Sequence, residues 1–273
     1  MKITNHLLFD NSNRQVDFRL TPNKGGKIIP QYLVLHYTAA TQGKGSISWF
    51  LNKEARASAH LIIDRDGTIT QFAPFNVMTW HAGESQWNGL NGLNKFSIGI
   101  ELVNGGRLVQ AGGAWICSVD KKPVMDADVV IARHKNDTRE SGWQAYTEFQ
   151  IQTVTEVATA LVRTYQLKDV VGHEDIAPIR KSDHGPAFPM PSFRSKVLGR
   201  KNDQTSVHHN VAPVNIRAGA GTQFAPLTEQ LLPKNTKVRI LKREGTWSFV
   251  EVLETVHGLN DLEGWIASKF LVE

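Results

Sequence analysis

The chain is poor in the features that would take it out of the ordinary globular class. Its 273 residues include one cysteine, Cys117, which excludes an internal disulfide framework and any multi-cysteine zinc ribbon or iron–sulfur cluster. Metal chemistry, if present, falls to histidine and carboxylate. Nowhere is there a run of about 18 apolar residues that could span a bilayer. After Met1-Lys2 the chain continues Ile3-Thr4-Asn5-His6, without the apolar stretch of about 7 to 15 residues that marks a secretory leader. The expectation is a product that is cytoplasmic as synthesised and has no membrane partner. Lys and Arg exceed Asp and Glu by 31 to 26, a net charge of +5, but no basic block concentrates that charge, so nucleic acid is not expected as a partner. Fixed-period repeats and low-complexity tracts are also missing.

What is present is enough apolar material, 41% hydrophobic against 21% charged residues, to build a core without staples. The length suits one large domain or two unequal ones. Composition shifts once, at Gly199-Arg200-Lys201-Asn202-Asp203-Gln204-Thr205-Ser206, eight residues without a large apolar side chain, which reads as a linker. The expected organisation is a first domain over 1–198, a linker over 199–206 and a second domain over 207–273.

In the first domain, Tyr32-Leu33-Val34-Leu35-His36 and Ser97-Ile98-Gly99-Ile100-Glu101-Leu102-Val103 read as strands. Leu61-Ile62-Ile63 and Thr68-Ile69-Thr70-Gln71-Phe72, joined through Asp64-Arg65-Asp66-Gly67, read as a hairpin. A short helix is expected around Ile47–Leu51. A longer one follows Thr147, whose spacing to Gln150 is that of a capping box, with Val154, Val157, Ala158, Leu161, Val162 and Tyr165 at i+3/i+4 intervals. Asp169-Val170-Val171-Gly172-His173 returns to strand. Alternating strands and helices predict an α/β domain with a mixed central β-sheet flanked by helices. Residues 104–142 interrupt the pattern with paired glycines, Trp115 and a charged stretch from Arg133 to Glu140, an excursion of a length that is usually either functional or disordered; the strand-like Val129-Val130-Ile131-Ala132 favours a role in function.

Of ten histidines, His36 and His173 stand out because each ends an apolar strand-like run, where ligands collect in α/β sheets. Asp183 follows His173 by ten positions. Two imidazoles and a carboxylate can form a three-ligand zinc set with a fourth position left open, which suits hydrolysis of an amide. Spacing alone does not select these three, since they form no compact signature.

Five phrases in order supply a further reason. Leu33-Val34-Leu35-His36, Ser58-Ala59-His60-Leu61-Ile62-Ile63, Thr79-Trp80-His81-Ala82-Gly83, Ser97-Ile98-Gly99-Ile100-Glu101, and Gly172-His173-Glu174-Asp175-Ile176-Ala177-Pro178 through Arg180-Lys181-Ser182-Asp183-His184-Gly185-Pro186-Ala187-Phe188 together resemble the type 2 N-acetylmuramoyl-L-alanine amidases, zinc enzymes related to the peptidoglycan recognition proteins. The resemblance covers roughly residues 28–195. It implies Zn2+ as cofactor, with His36, His173 and Asp183 as ligands. It also implies Glu101 as general base and Lys181 as the cation facing the oxyanion. His60 and His81 match histidines that line the family's cleft, as substrate or supporting contacts. Trp80, Asn104 and Trp115 are candidate sugar or peptide contacts. The implied reaction is hydrolysis of the amide between the lactyl group of N-acetylmuramic acid and L-alanine, in peptidoglycan or muropeptides. The alternative is a non-catalytic peptidoglycan-binding receptor using the same cleft.

After the linker, Val214–Thr222, Lys237–Leu241, Trp247–Val252 and Gly264–Ile266 read as short strands split by Gly and Asn turns, predicting a small β-barrel. The string Asn215-Ile216-Arg217-Ala218-Gly219 followed by Gly221-Thr222, with Gly264-Trp265-Ile266 near the end, resembles bacterial SH3-like domains. Such a module implies tethering to cell-wall peptide stems. That points to attack on intact wall after release or non-classical export, whereas the Asp183 ligand resembles the branch of cytosolic muropeptide-recycling amidases. An immunity or regulatory partner is left unassigned.

Overall fold

Tyr32–Tyr37 forms a strand that is buried from Tyr32 through His36, as a continuous apolar run flanked on both sides by parallel neighbours should be. In the computed structural model, which describes residues 1–198, 207–259 and 262–272, this strand sits inside a six-stranded mixed sheet. The strand order is 169–172, 32–37, 97–102, 61–63, 69–71, 17–18. The first four run parallel, the hairpin partner 69–71 is antiparallel to 61–63, and 17–18 is parallel to 69–71. The mixed α/β sheet expected from the strand and helix pattern is therefore present. Strand 97–102 lies between 32–37 and 61–63, although it follows both in sequence.

Helix α1 (Gly43–Leu51) buries Phe50 in a cluster with Ala59, Ile62, Phe72 and Val103. Helix α2 (Glu148–Tyr165) starts with the capping box read from the sequence: Thr147 Oγ1 accepts from Gln150 N and Gln150 Oε1 accepts from Thr147 N. Its buried apolar stripe is Val154, Val157, Ala158 and Leu161. The larger of these side chains contribute about 1.5–3 kcal/mol each by leaving water. The buried Gln150 amide then donates to the Val103 carbonyl at the end of the central strand. A single turn, α3 (His173–Ile176), follows strand 169–172 directly.

The excursion after residue 104 is ordered as two antiparallel ribbons. Strands 108–111 and 114–117 turn at Gly112-Gly113, both with positive φ, and 129–133 pairs with 140–144.

The chain divides into two compact units, Met1–Phe188 and Pro189–Glu273. The expected linker at 199–206 lies outside the described residues. Within the second unit, helix α4 (Met190–Leu198) precedes a five-stranded antiparallel sheet in the order 263–267, 247–252, 237–244, 207–210, 271–272. Its core joins Ile216, Leu232, Val238, Val250 and Ile266. One expectation is corrected here. Residues 214–222 form no strand and make only isolated bridges, Val214 with Leu232 and Arg217 with Pro226 and Trp265. Pro213 and the glycines at 219 and 221 interrupt the pairing that the apolar alternation suggested. Strand 207–210, which lacks that alternation, takes its place. No described helix is long and apolar enough to cross a membrane.

Candidate metal centre

Side chains two residues apart on a strand share a face, and this places the centre. Parallel pairing sets Tyr32 beside Ser97, Val34 beside Gly99 and His36 beside Glu101. The first two of each strand lie inside the face and the third lies at its carboxyl end. Strand 169–172 flanks 32–37 on the other side, and its next residue, His173, opens α3. Ala82, Leu93, Val171 and Ile176 pack with Tyr32 and Val34 beneath.

Asp183 reaches the same point by a loop fastened at both ends. The Glu174 backbone N–H donates to the Asp183 carbonyl (2.7 Å), and the Gly185 N–H donates to Glu174 Oε2 (2.9 Å). Glu174 is itself buried. Its carboxylate meets His134 Nε2 at 2.9 Å and the Lys135 ammonium at 3.0 Å, so the excursion predicted to matter is tied to the Asp183 loop by ionic hydrogen bonds. His134 stacks on Trp143, whose ring also meets the Arg107 guanidinium, 4.8 Å from its centre.

The result is a tight triangle of buried atoms. His36 Nδ1 lies 2.9 Å from His173 Nδ1, and each lies 3.0 Å from Asp183 Oδ2. The His173 Nε2 is 3.2 Å from the Ala82 carbonyl, which can only accept, so the ring proton is on Nε2 and Nδ1 presents a lone pair. Edges near 3 Å are close to the roughly 3.3 Å that three corners of a tetrahedron need for zinc–ligand bonds of about 2.0–2.1 Å. Burial, with the neighbouring His173, lowers the His36 pKa to about 4, which keeps the ring neutral as a ligand must be. Burial alone would raise Asp183, but the two imidazoles against it outweigh this and hold it well below the usual carboxylate range. The donor set and its spacing fit a divalent cation.

Glu101 and Lys181 line the same cavity, which has a volume of about 790 Å³ and also takes in Trp49, Trp80 and Arg180. The Glu101 Oε2 atom is buried with no hydrogen-bond partner among the described residues. Burial, and then the nearby Asp183, push its carboxyl up to about 8, with Lys181 opposing. A carboxyl so placed holds or releases its proton near neutrality.

The other sequence candidates divide. His81 and Trp80 border the cavity, and His81 turns its ring inward, with Nδ1 3.0 Å from His36 Nε2. His60, Asn104 and Trp115 are not among the residues that line the cavity. His60 is fully buried, its Nδ1 accepting from the Gly99 N–H and Thr79 hydroxyl and its Nε2 donating to the Val77 carbonyl. Asn104 braces the excursion by donating to the Gln144 and Ala145 carbonyls and accepting from the Gly106 N–H. Trp115 lies over Gly142 and packs against Leu108, Cys117 and Val124. In each case a short polar or aromatic motif looks the same whether it faces a ligand or a neighbouring strand. Sequence reading missed Trp49, which is half exposed on the wall formed by α1. It also missed Arg180, which donates to the Ala82 and Glu84 carbonyls, and Glu174. The signal for Glu174 was its place beside His173.

Comparison with known proteins bears directly on this geometry. The sequence profile of the N-acetylmuramoyl-L-alanine amidase family matches residues 25–186, more than half the chain. The chain belongs to that family. A second profile, the bacterial SH3 domain, matches residues 212–272 of this amidase-family chain. The 1,6-anhydro-N-acetylmuramyl-L-alanine amidase AmpD of Escherichia coli is 38% identical over 141 residues, 51% of this chain and 57% of that protein. The N-acetylmuramoyl-L-alanine amidase AmiD of the same organism is 30% identical over 189 residues, 66% of this chain and 58% of that protein. The chain thus spans somewhat over half the length of these relatives. Among solved structures, a selenomethionine derivative of AmpD aligns over 72% of this chain and 99% of that one, at 26% identity and a TM-score of 0.48.

Proposed function

We propose that this chain is a zinc-dependent N-acetylmuramoyl-L-alanine amidase that cleaves the amide between the lactyl group of N-acetylmuramic acid and L-alanine in peptidoglycan or muropeptides. The observation that carries the reading is the buried triangle of His36, His173 and Asp183 at the end of the parallel strands, with the unpaired Glu101 carboxyl in the same cavity. A zinc ion held by these three residues would supply Lewis-acid polarisation and water activation. The rest falls to the chain's own groups. Glu101, with its carboxyl near 8, takes a proton from the attacking water and returns it to the leaving amine nitrogen. The Lys181 ammonium faces the negative charge that develops on the carbonyl oxygen. Trp49 and Trp80 offer aromatic walls to the sugar or stem peptide.

We assign catalysis to residues 1–198 and wall attachment to the SH3-like residues 207–273, with 199–206 joining them. Attachment would raise the local concentration of polymeric substrate without altering cleavage of soluble fragments.

The test is mass spectrometry of products from a soluble N-acetylmuramyl peptide and from polymeric sacculi, with and without chelator. Release of free stem peptide beginning in L-alanine, abolished by chelation and restored by zinc, is expected. Binding of muropeptide without cleavage under zinc-replete conditions would identify a receptor instead.

A further inference from the structure

The two imidazole ligands are braced from behind by a single short segment, 80–83, and the hydrogen bonds of that segment fix where the ring protons lie. Ser97 Oγ is 2.6 Å from the Leu93 carbonyl oxygen. A carbonyl cannot donate, and two oxygens this close without a proton between them repel, so the one hydroxyl proton of Ser97 is committed to Leu93. Towards His81 Nε2, at 3.2 Å, Ser97 therefore accepts. The His81 ring, buried and without a carboxylate partner, then carries its proton on Nε2 and leaves Nδ1 bare. His81 Nδ1 is 3.0 Å from His36 Nε2, so the proton in that contact belongs to His36, whose Nδ1 is left with its lone pair towards His173 and Asp183. The second ligand is set by the next residue, since His173 Nε2–H donates to the Ala82 carbonyl.

Both acceptors depend on one side chain. Asn94 Oδ1 accepts from the backbone N–H of His81 (3.0 Å) and of Ala82 (2.7 Å), which sets the height of the segment above the sheet. Gly99 makes the approach feasible, because a Cβ there would overlap the His81 ring, lying 2.7 Å from its Nδ1.

We infer that Ser97 and Asn94 are positioning residues of the metal centre: Ser97, through His81, holds the His36 proton on Nε2, and Asn94 places the two acceptors that orient both imidazole ligands. This rests on the reading of His36, His173 and Asp183 as metal ligands. The sheet explains the arrangement. Ser97, Gly99 and Glu101 share one face of one strand, so the same two-residue period that brings the carboxyl to the cavity also brings the hydroxyl that terminates the proton chain. Outer hydrogen bonds of this kind, when lost, typically cost about 10–100-fold in metal affinity.

The experiment uses the full chain, labelled with 15N in its histidine rings and stripped of metal. Long-range 15N–1H correlation spectra should show the Nε2–H form for His36, His81 and His173. Zinc affinity, read by competition with a chromophoric chelator, should fall about 10–100-fold in Ser97→Ala, with His81 losing its single Nε2–H pattern. Asn94→Ala should weaken zinc similarly, and Asn94→Asp, which keeps an acceptor oxygen, should restore most of the loss. A proton on His81 Nδ1 in the unsubstituted chain, or undiminished zinc affinity in Ser97→Ala, would overturn the inference. Should Ser97→Ala fail to fold, the spectrum of the unsubstituted chain and the Asn94 pair still decide it. If the unsubstituted chain binds no zinc while its rings show the stated protons, the metal reading fails and the proton arrangement stands.

Discussion

Glu101→Gln separates the chemical from the structural role of this carboxyl. In the metal-free fold its pKa is pushed to about 8 from an ordinary 4.5, chiefly by burial. Its folded pKa is raised, so its contribution to stability is fully present below about pH 4.5 and is lost as pH rises towards 8. Between these values the unfolded chain has released a proton that the folded chain still holds, and stability falls by about 1.4 kcal/mol per pH unit. At pH 7 that amounts to about 3 kcal/mol; because the cavity admits water beside the residue, we take about half. Glutamine keeps the shape without the charge. Metal-free Glu101→Gln should therefore match the unsubstituted chain at pH 4.5 and exceed it by about 1–2 kcal/mol at pH 7, a shift of about 2–8 °C in Tm for a chain of this size. Thermal melts of both proteins in chelator across pH 4.5–8 read this directly, and the difference curve isolates the one group. Zinc, by favouring the carboxylate, should shrink the difference. Hydrolysis should meanwhile fall about 10²–10⁴-fold with zinc content unchanged. A Tm difference independent of pH, or a variant less stable at pH 7 than at pH 4.5 relative to its parent, would refute the placement of this carboxyl.

Three further outcomes follow from the same geometry. Asp183→Ala removes one corner of the triangle, so zinc affinity should drop by more than the roughly 100-fold that an outer hydrogen bond is worth, measured by chelator competition. Glu174→Ala leaves the Gly185 N–H, His134 and Lys135 without their shared acceptor; breaking a buried ionic cluster of this kind should cost about 3 kcal/mol or more, seen as a Tm lower by about 6 °C or more together with weaker zinc binding. Trp49→Ala, at a residue half exposed on the cavity wall, should raise KM for muropeptides several-fold while Tm stays within about 2 °C, which steady-state kinetics and a melt check together.

Much of the frame was legible in the residues. The strand runs 32–36 and 97–103, the 61–72 hairpin with its Asp-Gly turn and the Thr147/Gln150 cap are local patterns, and each formed where its period placed it. The second unit was less legible. Residues 214–222 alternate like a strand but carry two glycines and follow Pro213, while 207–210 looked polar and yet pairs on both edges. Edge and centre strands of a small sheet are selected by their neighbours more than by their own side chains.

At the centre the division is sharper. By itself the sequence determined which residue types were available: histidines at strand ends, an aspartate ten positions on, a glutamate two residues beyond Gly99, and the ordered phrases of the family. Only the tertiary structure decided that His36 and His173, 137 positions apart, lie within 3 Å of each other. The same structure decided that His81 turns inward while His60 closes on backbone, and that Ser97 and Asn94 hydrogen-bond to the segment behind His36 and His173. The reason is that side-chain period is set by the local backbone, whereas convergence depends on strand order and register. Those were fixed when strand 97–102 inserted between 32–37 and 61–63.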